Sequence, residues 1–142
     1  LLLFLTGSPV AQVHATALRP AARHTMKDEN FTATINFEDG TLATLTYTAL
    51  GGRACPKERL EVFCDGRVLV VDDYRELVIF DDRGARQALR ATDKGHRALL
   101  LAFAGAARSG GEWPIPLVEQ VRATRIALEV EKRIRSGSQV VD

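Results

Sequence analysis

The sequence predicts an α+β protein: an open, mainly antiparallel sheet with helices packed on one face. Three observations predict it. Up to Arg90 the chain repeats short segments in which apolar and polar residues alternate. Two Asp-Gly pairs, Asp39-Gly40 and Asp65-Gly66, separate such segments, and pairs of this kind suit tight hairpins rather than long crossovers. After Gly95 the period lengthens to that of helices, in two runs rich in Ala and Leu or in paired charges.

The elements follow in order. Leu1-Leu2-Leu3-Phe4-Leu5 precedes Thr6-Gly7-Ser8-Pro9. A signal peptide needs a basic segment ahead of a longer apolar stretch, so this start is read as the last turns of a helix. Gly7 is its left-handed stop and Pro9 bars continuation. A helix ending there begins earlier, and the chain is therefore expected to be a piece of a longer protein. Val10 to Leu18 reads as a strand, and Arg19 to Lys27 as a solvated loop.

Phe31, Ala33, Ile35 and Phe37 alternate with Thr32, Thr34 and Asn36, the period of a half-buried strand. Glu38-Asp39-Gly40 turns it back, and Thr41 to Ala49 returns with Thr44, Thr46 and Thr48 on one face. Arg59 to Cys64, Arg67 to Val71, Leu77 to Phe80 and Arg86 to Arg90 continue the meander. Gly95 to Arg108 is a helix with a stop at Ser109-Gly110-Gly111. Trp113-Pro114-Ile115-Pro116 is a stiff connector. Leu117 to Arg135 is a second helix whose expected apolar stripe is Ala123, Ala127, Val130 and Ile134.

The composition excludes several functions. The 142 residues suit a single domain spanning 1–142. Lys and Arg number 19 against 18 for Asp and Glu, a net charge of +1, so no basic surface exists to clamp nucleic acid. No apolar run reaches the roughly 18–20 residues of a membrane span. Cys55 and Cys64 match no disulfide framework or zinc spacing and read as reduced thiols in a cytoplasmic protein. His14, His24 and His96 lack metal-ligand spacing. No glycine loop of the G-x-G-x-x-G or G-x-x-x-x-G-K-[ST] kind offers amides to a phosphate. The pairs Asp72-Asp73 and Asp81-Asp82 fall where strands end and read as turn carboxylates.

Two polar clusters remain. Asp93-Lys94-Gly95-His96-Arg97 opens a helix, where free amides favour anions, and Lys94 and His96 there suit a carboxylate, a phosphate or a sugar hydroxyl. A solvated helix start with Asp93 as cap is the plainer alternative. Pro56-Lys57-Glu58-Arg59 leads into a strand with alternating charge, as a solvated edge also would.

The segments ENFTATINFEDGTLATLTYTA, PKERLEVFCDGRVLVVDDY, DKGHRALLLAF and PIPLVEQVRATRIALEVEKRIRSG, taken in order, resemble the carboxy-terminal domain of the Gfo/Idh/MocA family of NAD(P)-dependent oxidoreductases. The resemblance runs from about Leu1 to Gly137. PKERLEVF and DKGH are similar to the branch in which this module is joined to a zinc-dehydrogenase-like portion. In that family a Rossmann domain comes first, and a lysine and an H-x-x-D pair follow it on the way to an L-x-x-L-x-G element. Leu2 to Gly7 matches that element, so the resemblance implies that the catalytic residues and the Rossmann domain lie before Leu1.

It further implies a substrate-binding and oligomerisation domain, inactive by itself, whose parent moves hydride to or from a hydroxyl-bearing carbon of a sugar, cyclitol or polyol. Lys57, Tyr74, Lys94 and His96 are the expected pocket-lining residues. No catalytic, cofactor-binding or metal residue is assigned in this chain, and NAD or NADP belongs to the full-length parent. The expected partners are the Rossmann domain and a second copy docked on the exposed sheet face, with no nucleic acid and no membrane. Two alternatives stay open: a stand-alone binding or protein-interaction module, and a small cupped-sheet barrel holding a ligand.

Overall fold

The computed structural model describes residues 1–18, 29–91 and 93–136. The loop expected from Arg19 to Lys27 lies outside the described residues, as does His24. In chain order the elements are α1 (Leu2–Thr6), β1 (Val10–Ala17), β2 (Asn30–Phe37), β3 (Leu42–Thr48), β4 (Arg59–Cys64), β5 (Arg67–Asp72), β6 (Glu76–Asp81), β7 (Gly84–Arg90), α2 (His96–Ser109) and α3 (Leu117–Ser136). The class is α+β with open antiparallel pairing, as the alternation and the turns predict, and the strands expected in one sheet are divided between two. The strands form a three-stranded sheet, β1-β2-β3, and a four-stranded sheet, β4-β5-β6-β7. The chain packs as two compact units, Leu1–Gly51 with Ile115–Asp142, and Gly52–Pro114.

In the first unit, α1 stops at Gly7, whose φ of 63° frees its amide to reach the Leu3 carbonyl. The period of two puts Phe31, Ala33, Ile35 and Phe37 on one face of β2. Ala33, Ile35 and Phe37 are buried there, Ala33 completely at 0% exposure. Val13 pairs with Ile35, and Ala15 with Ala33, so β1 adds its odd-numbered residues to the same face. Helix α3 closes this face over β1: Val130 and Ile134 are buried with Val13 and Ala33, and Ile126 packs against them.

The stripe on α3 differs from the expected one. Ala123 and Ala127 are exposed, and the seam runs Ile126, Val130, Ile134 at intervals of four. Branched side chains reach the sheet and remove more apolar area from water than a methyl does. Burial is confined to the carboxy-terminal half of the helix, because Leu117, Val118 and Val121 in the first turns are exposed.

The opposite face of this sheet is polar. Thr32 and Thr46 hydroxyls lie 3.3 Å apart across the strands, and Asn36 Nδ2 donates to Gln12 Oε1 at 3.4 Å. Thr44, Thr46 and Thr48 are exposed on it beside Leu42, and Leu45 and Tyr47 on the other face of β3 are exposed too, so burial along this strand does not follow the alternation. At the β2–β3 turn, Asp39 Oδ1 accepts the Thr41 amide at 2.9 Å while Gly40 takes a φ of 87°.

In the second unit, successive hairpins build the four-stranded meander. Asp65 and Gly66 form a two-residue turn with φ of 48° and 71°, the primed geometry whose twist matches the strands. Leu60 and Val62, Leu69 and Val71, and Leu77 and Ile79 share one half-buried face through the register of β4, β5 and β6. Helix α2 ends at Gly110, φ 67°, where the glycine stop is expected, and none of its 14 residues is buried. Phe103 on α2 packs its ring 5.0 Å from that of Trp113.

Candidate functional site

The β5–β6 turn is the local feature from which the site is built. Arg75 donates its amide to the Asp72 carbonyl at 2.9 Å, closing the four-residue turn 72–75 within the three-residue loop between β5 and β6. Both central residues, Asp73 and Tyr74, have positive φ, 50° and 54°. That geometry ordinarily takes Asn-Gly or Asp-Gly, because a Cβ crowds the following carbonyl in the left-handed region. Asp suits the first position; a tyrosine at the second does not. Other contacts must hold the turn in place.

Those contacts come from Lys94, between β7 and α2. Its Nζ donates to Asp73 Oδ1 at 2.5 Å and to Glu58 Oε2 at 2.6 Å. The two carboxyl-bearing residues are also tied through the backbone, since the Asp73 amide donates to the Glu58 carbonyl at 2.7 Å. Arg75 Nε stands 3.4 Å from Asp73 Oδ2. Two carboxylates and two cations thus share one small region, and their formal charges cancel. The Lys94 hydrogen bond holds the Asp73 carboxyl below its usual 3.8, and the bonds from Asp73 and Glu58 raise Lys94 above its usual 10.5.

The four residues expected at the site relate to this cluster in different ways. Lys94 is inside it, paired and only 21% exposed at its side chain. Lys57 is exposed and adjoins Glu58; Tyr74 is exposed and adjoins Asp73. His96 is exposed as the first residue of α2, two positions beyond Lys94. The ion pairs therefore draw together the three segments that carry Lys57, Tyr74 and His96.

Sequence reasoning missed Glu58, Asp73 and Arg75. The one available signal was an Asp at a hairpin position, read as a turn carboxylate. At the helix start, Asp93 Oδ1 accepts the Gly95 amide at 2.6 Å, and Gly95, with a φ of 79°, is the N-cap. Asp81 Oδ1 accepts the Arg83 amide at 2.8 Å, as a turn carboxylate does. Cys55 and Cys64 are free and exposed. Among the described residues no group of three or more His, Cys, Asp and Glu is placed to hold a metal ion. Among them also no helix is long and apolar enough to cross a membrane.

No protein-family model matches the chain, and no curated protein matches it by sequence. Solved structures do match. UDP-N-acetylglucosamine 3-dehydrogenase GnnA from Acidithiobacillus ferrooxidans shares the fold with a TM-score of 0.79 at 22% identity, over 94% of this chain and 43% of that one. An oxidoreductase from Thermotoga maritima matches with a TM-score of 0.79 at 19% identity, over 96% of this chain and 42% of that one. The WlbA dehydrogenase from Bordetella pertussis, in complex with NADH and UDP-GlcNAcA, matches with a TM-score of 0.58 at 17% identity, over 99% of this chain and 42% of that one.

The solved structures that share the fold are oxidoreductases of the Gfo/Idh/MocA type, the family the ordered segments resemble. The chain spans less than half the length of each of these three. One of them, the WlbA dehydrogenase, holds NADH. Among the described residues every strand pairing is antiparallel, and the one strand that leads directly into a long helix, β7 into α2, does so through a loop with a single glycine, Gly95. The parallel strand–loop–helix unit that offers amides to a pyrophosphate is not among them, so these residues do not fit the cofactor.

Proposed function

We propose that this chain is the carboxy-terminal, substrate-binding and oligomerisation domain of an NAD(P)-dependent oxidoreductase. In the whole enzyme, hydride passes between the nicotinamide and a hydroxyl-bearing carbon of a sugar, cyclitol or polyol. The supporting observation is that nearly all of this chain matches the fold of such dehydrogenases while spanning only 42–43% of the three described above. A UDP-sugar dehydrogenase and a dehydrogenase holding a UDP-sugar acid are two of them, which favours the sugar class of substrate. The nucleotide loop, the catalytic lysine and the H-x-x-D pair belong to the rest of the enzyme on this reading.

Within the domain, Tyr74 and His96 are the residues proposed to contact substrate, with Lys57 beside them. Lys94, already paired with two carboxylates, holds the wall that carries them. The threonine-rich face of β1-β2-β3 is proposed as the docking surface for a second copy, since hydroxyl-bearing β-branched residues suit a semi-polar sheet face. Two exposed free thiols accord with a cytoplasmic location.

The test is a titration of the 142-residue chain with NADH, followed by fluorescence of the nicotinamide. The proposal expects no saturable binding by the chain alone. It expects NAD(P)-dependent turnover of a sugar, sugar nucleotide or polyol by the polypeptide that joins it to a Rossmann domain. Saturable NADH binding by the chain alone overturns it.

A further inference from the structure

We infer that Lys94 is the bolt of a latch: it fastens the start of α2 to the β5–β6 turn, and α2 opens about Gly95 when the bolt is drawn. Helix α2 has little other anchorage. None of its residues is buried, so apolar packing supplies little of its anchorage. Before it, the Ala91 amide donates to the Arg75 carbonyl at 2.6 Å, which secures the chain just after β7 to the β5–β6 turn. Past that bond, among the described residues, the lead-in is fixed to the rest of its unit by the two short bonds of Lys94, to Asp73 and to Glu58.

The other half of the latch is stiff. Asp73 and Glu58 are linked through the backbone at 2.7 Å, so both acceptors move with the sheet. Arg75 holds the second oxygen of Asp73, aiming the first at Lys94. Immediately after the bolt stands Gly95, with a φ of 79° that L side chains rarely adopt. A glycine between a fixed lysine and an unburied helix leaves the first turn free to unwind once the lysine lets go, which breaks bonds such as that from the Leu99 amide to the Gly95 carbonyl. Low burial beyond the hinge and a stiff seat before it give α2 the makeup of a unit that opens locally while its sheet stays closed.

This inference concerns the fold of the second unit and stands independently of the proposed substrate. Amide hydrogen exchange on the full chain tests it, comparing the native sequence with Lys94→Met and with the acceptor pair Glu58→Gln/Asp73→Asn. Exchange across α2, including the Leu99 amide that bonds to the Gly95 carbonyl at 3.0 Å, is expected to quicken about fivefold in both variants. The amides of β5 and β6 are expected to be unchanged. Lys94→Met placed on the acceptor-pair variant is expected to add nothing, because the bolt is already drawn. Lys94→Arg, which keeps the charge, is expected to retain most of the protection. Unchanged exchange in α2 would overturn the inference, and so would a uniform rise across the whole unit, which reports general loss of stability.

Discussion

Truncating Ile134 to alanine tests how α3 is seated on its sheet. Ile134 is 7% exposed and packs with Val13, Ala33 and Val130. Alanine removes three carbons from that contact, which at roughly 0.8 kcal/mol each is about 2.4 kcal/mol of lost transfer energy. The cavity left behind adds to this, and measured changes of this kind run from about 2 to about 5 kcal/mol. Here α3 lies over β1, which is an edge strand, so the helix can settle and recover part of the void. The expected loss is about 3 kcal/mol. Leu128→Ala is the matched control: it removes three carbons from the same helix at a position 58% exposed, and is expected to cost under about 1 kcal/mol. Urea unfolding followed by far-ultraviolet circular dichroism measures both. Equal losses for the two variants, or a loss under about 1 kcal/mol for Ile134→Ala, would refute the seating of α3 through Ile126, Val130 and Ile134.

Other expectations follow from the turns, the ion cluster and the aromatic pair. Gly66→Ala puts a Cβ at a φ of 71° and is expected to cost about 1–2 kcal/mol, read by thermal unfolding of the second unit. The Lys94 cluster fixes a pH dependence whose sign follows from its two shifted groups. Asp73 has a lowered folded value, so its contribution is complete above 3.8 and is lost as pH falls through the folded value. Lys94 has a raised folded value, so its contribution is complete below 10.5 and is lost as pH rises through the folded value. The stability difference between the native chain and Lys94→Met is therefore expected to stay level from about pH 5 to about pH 9 and to shrink in stronger acid or base. Phe103→Ala removes the ring 5.0 Å from Trp113, the one tryptophan in the chain, and is expected to shift its emission to longer wavelength.

Much of the fold is legible from short-range patterns because short-range physics decides it. The alternation from Phe31 to Phe37 marks a strand with one buried face, and Gly40 and the pair Asp65-Gly66 mark turns that need positive φ angles. Gly7 and Gly110 end helices for the same steric reason. The division of the strands into two sheets was not legible, since period-two patterning says which face is buried but not which strand is the neighbour. The seam of α3 was misplaced for a related reason. Ala123 and Ala127 lie at helical spacing, but only the sheet decides which part of the helix it covers.

The ion cluster is a long-range object. Lys94 meets Glu58 across 36 positions and Asp73 across 21, and nothing in local spacing announces such a meeting. Lys94 itself could be picked out because a cation at a helix start invites a ligand. The structure pairs it with two carboxylates of its own chain, and Lys57, Tyr74 and His96 are exposed on the segments so joined. Tyr74 is the least predictable feature, because a tyrosine at positive φ opposes the preference that makes such turns recognisable.

The measurement that bears most directly on the central claim is to read the coding DNA immediately upstream of Leu1. The account predicts an open frame that places a histidine and an aspartate three apart just before Leu1, with a glycine-rich nucleotide-binding loop further up. A start codon directly before Leu1 would contradict it, and would leave a binding domain with no oxidoreductase to belong to.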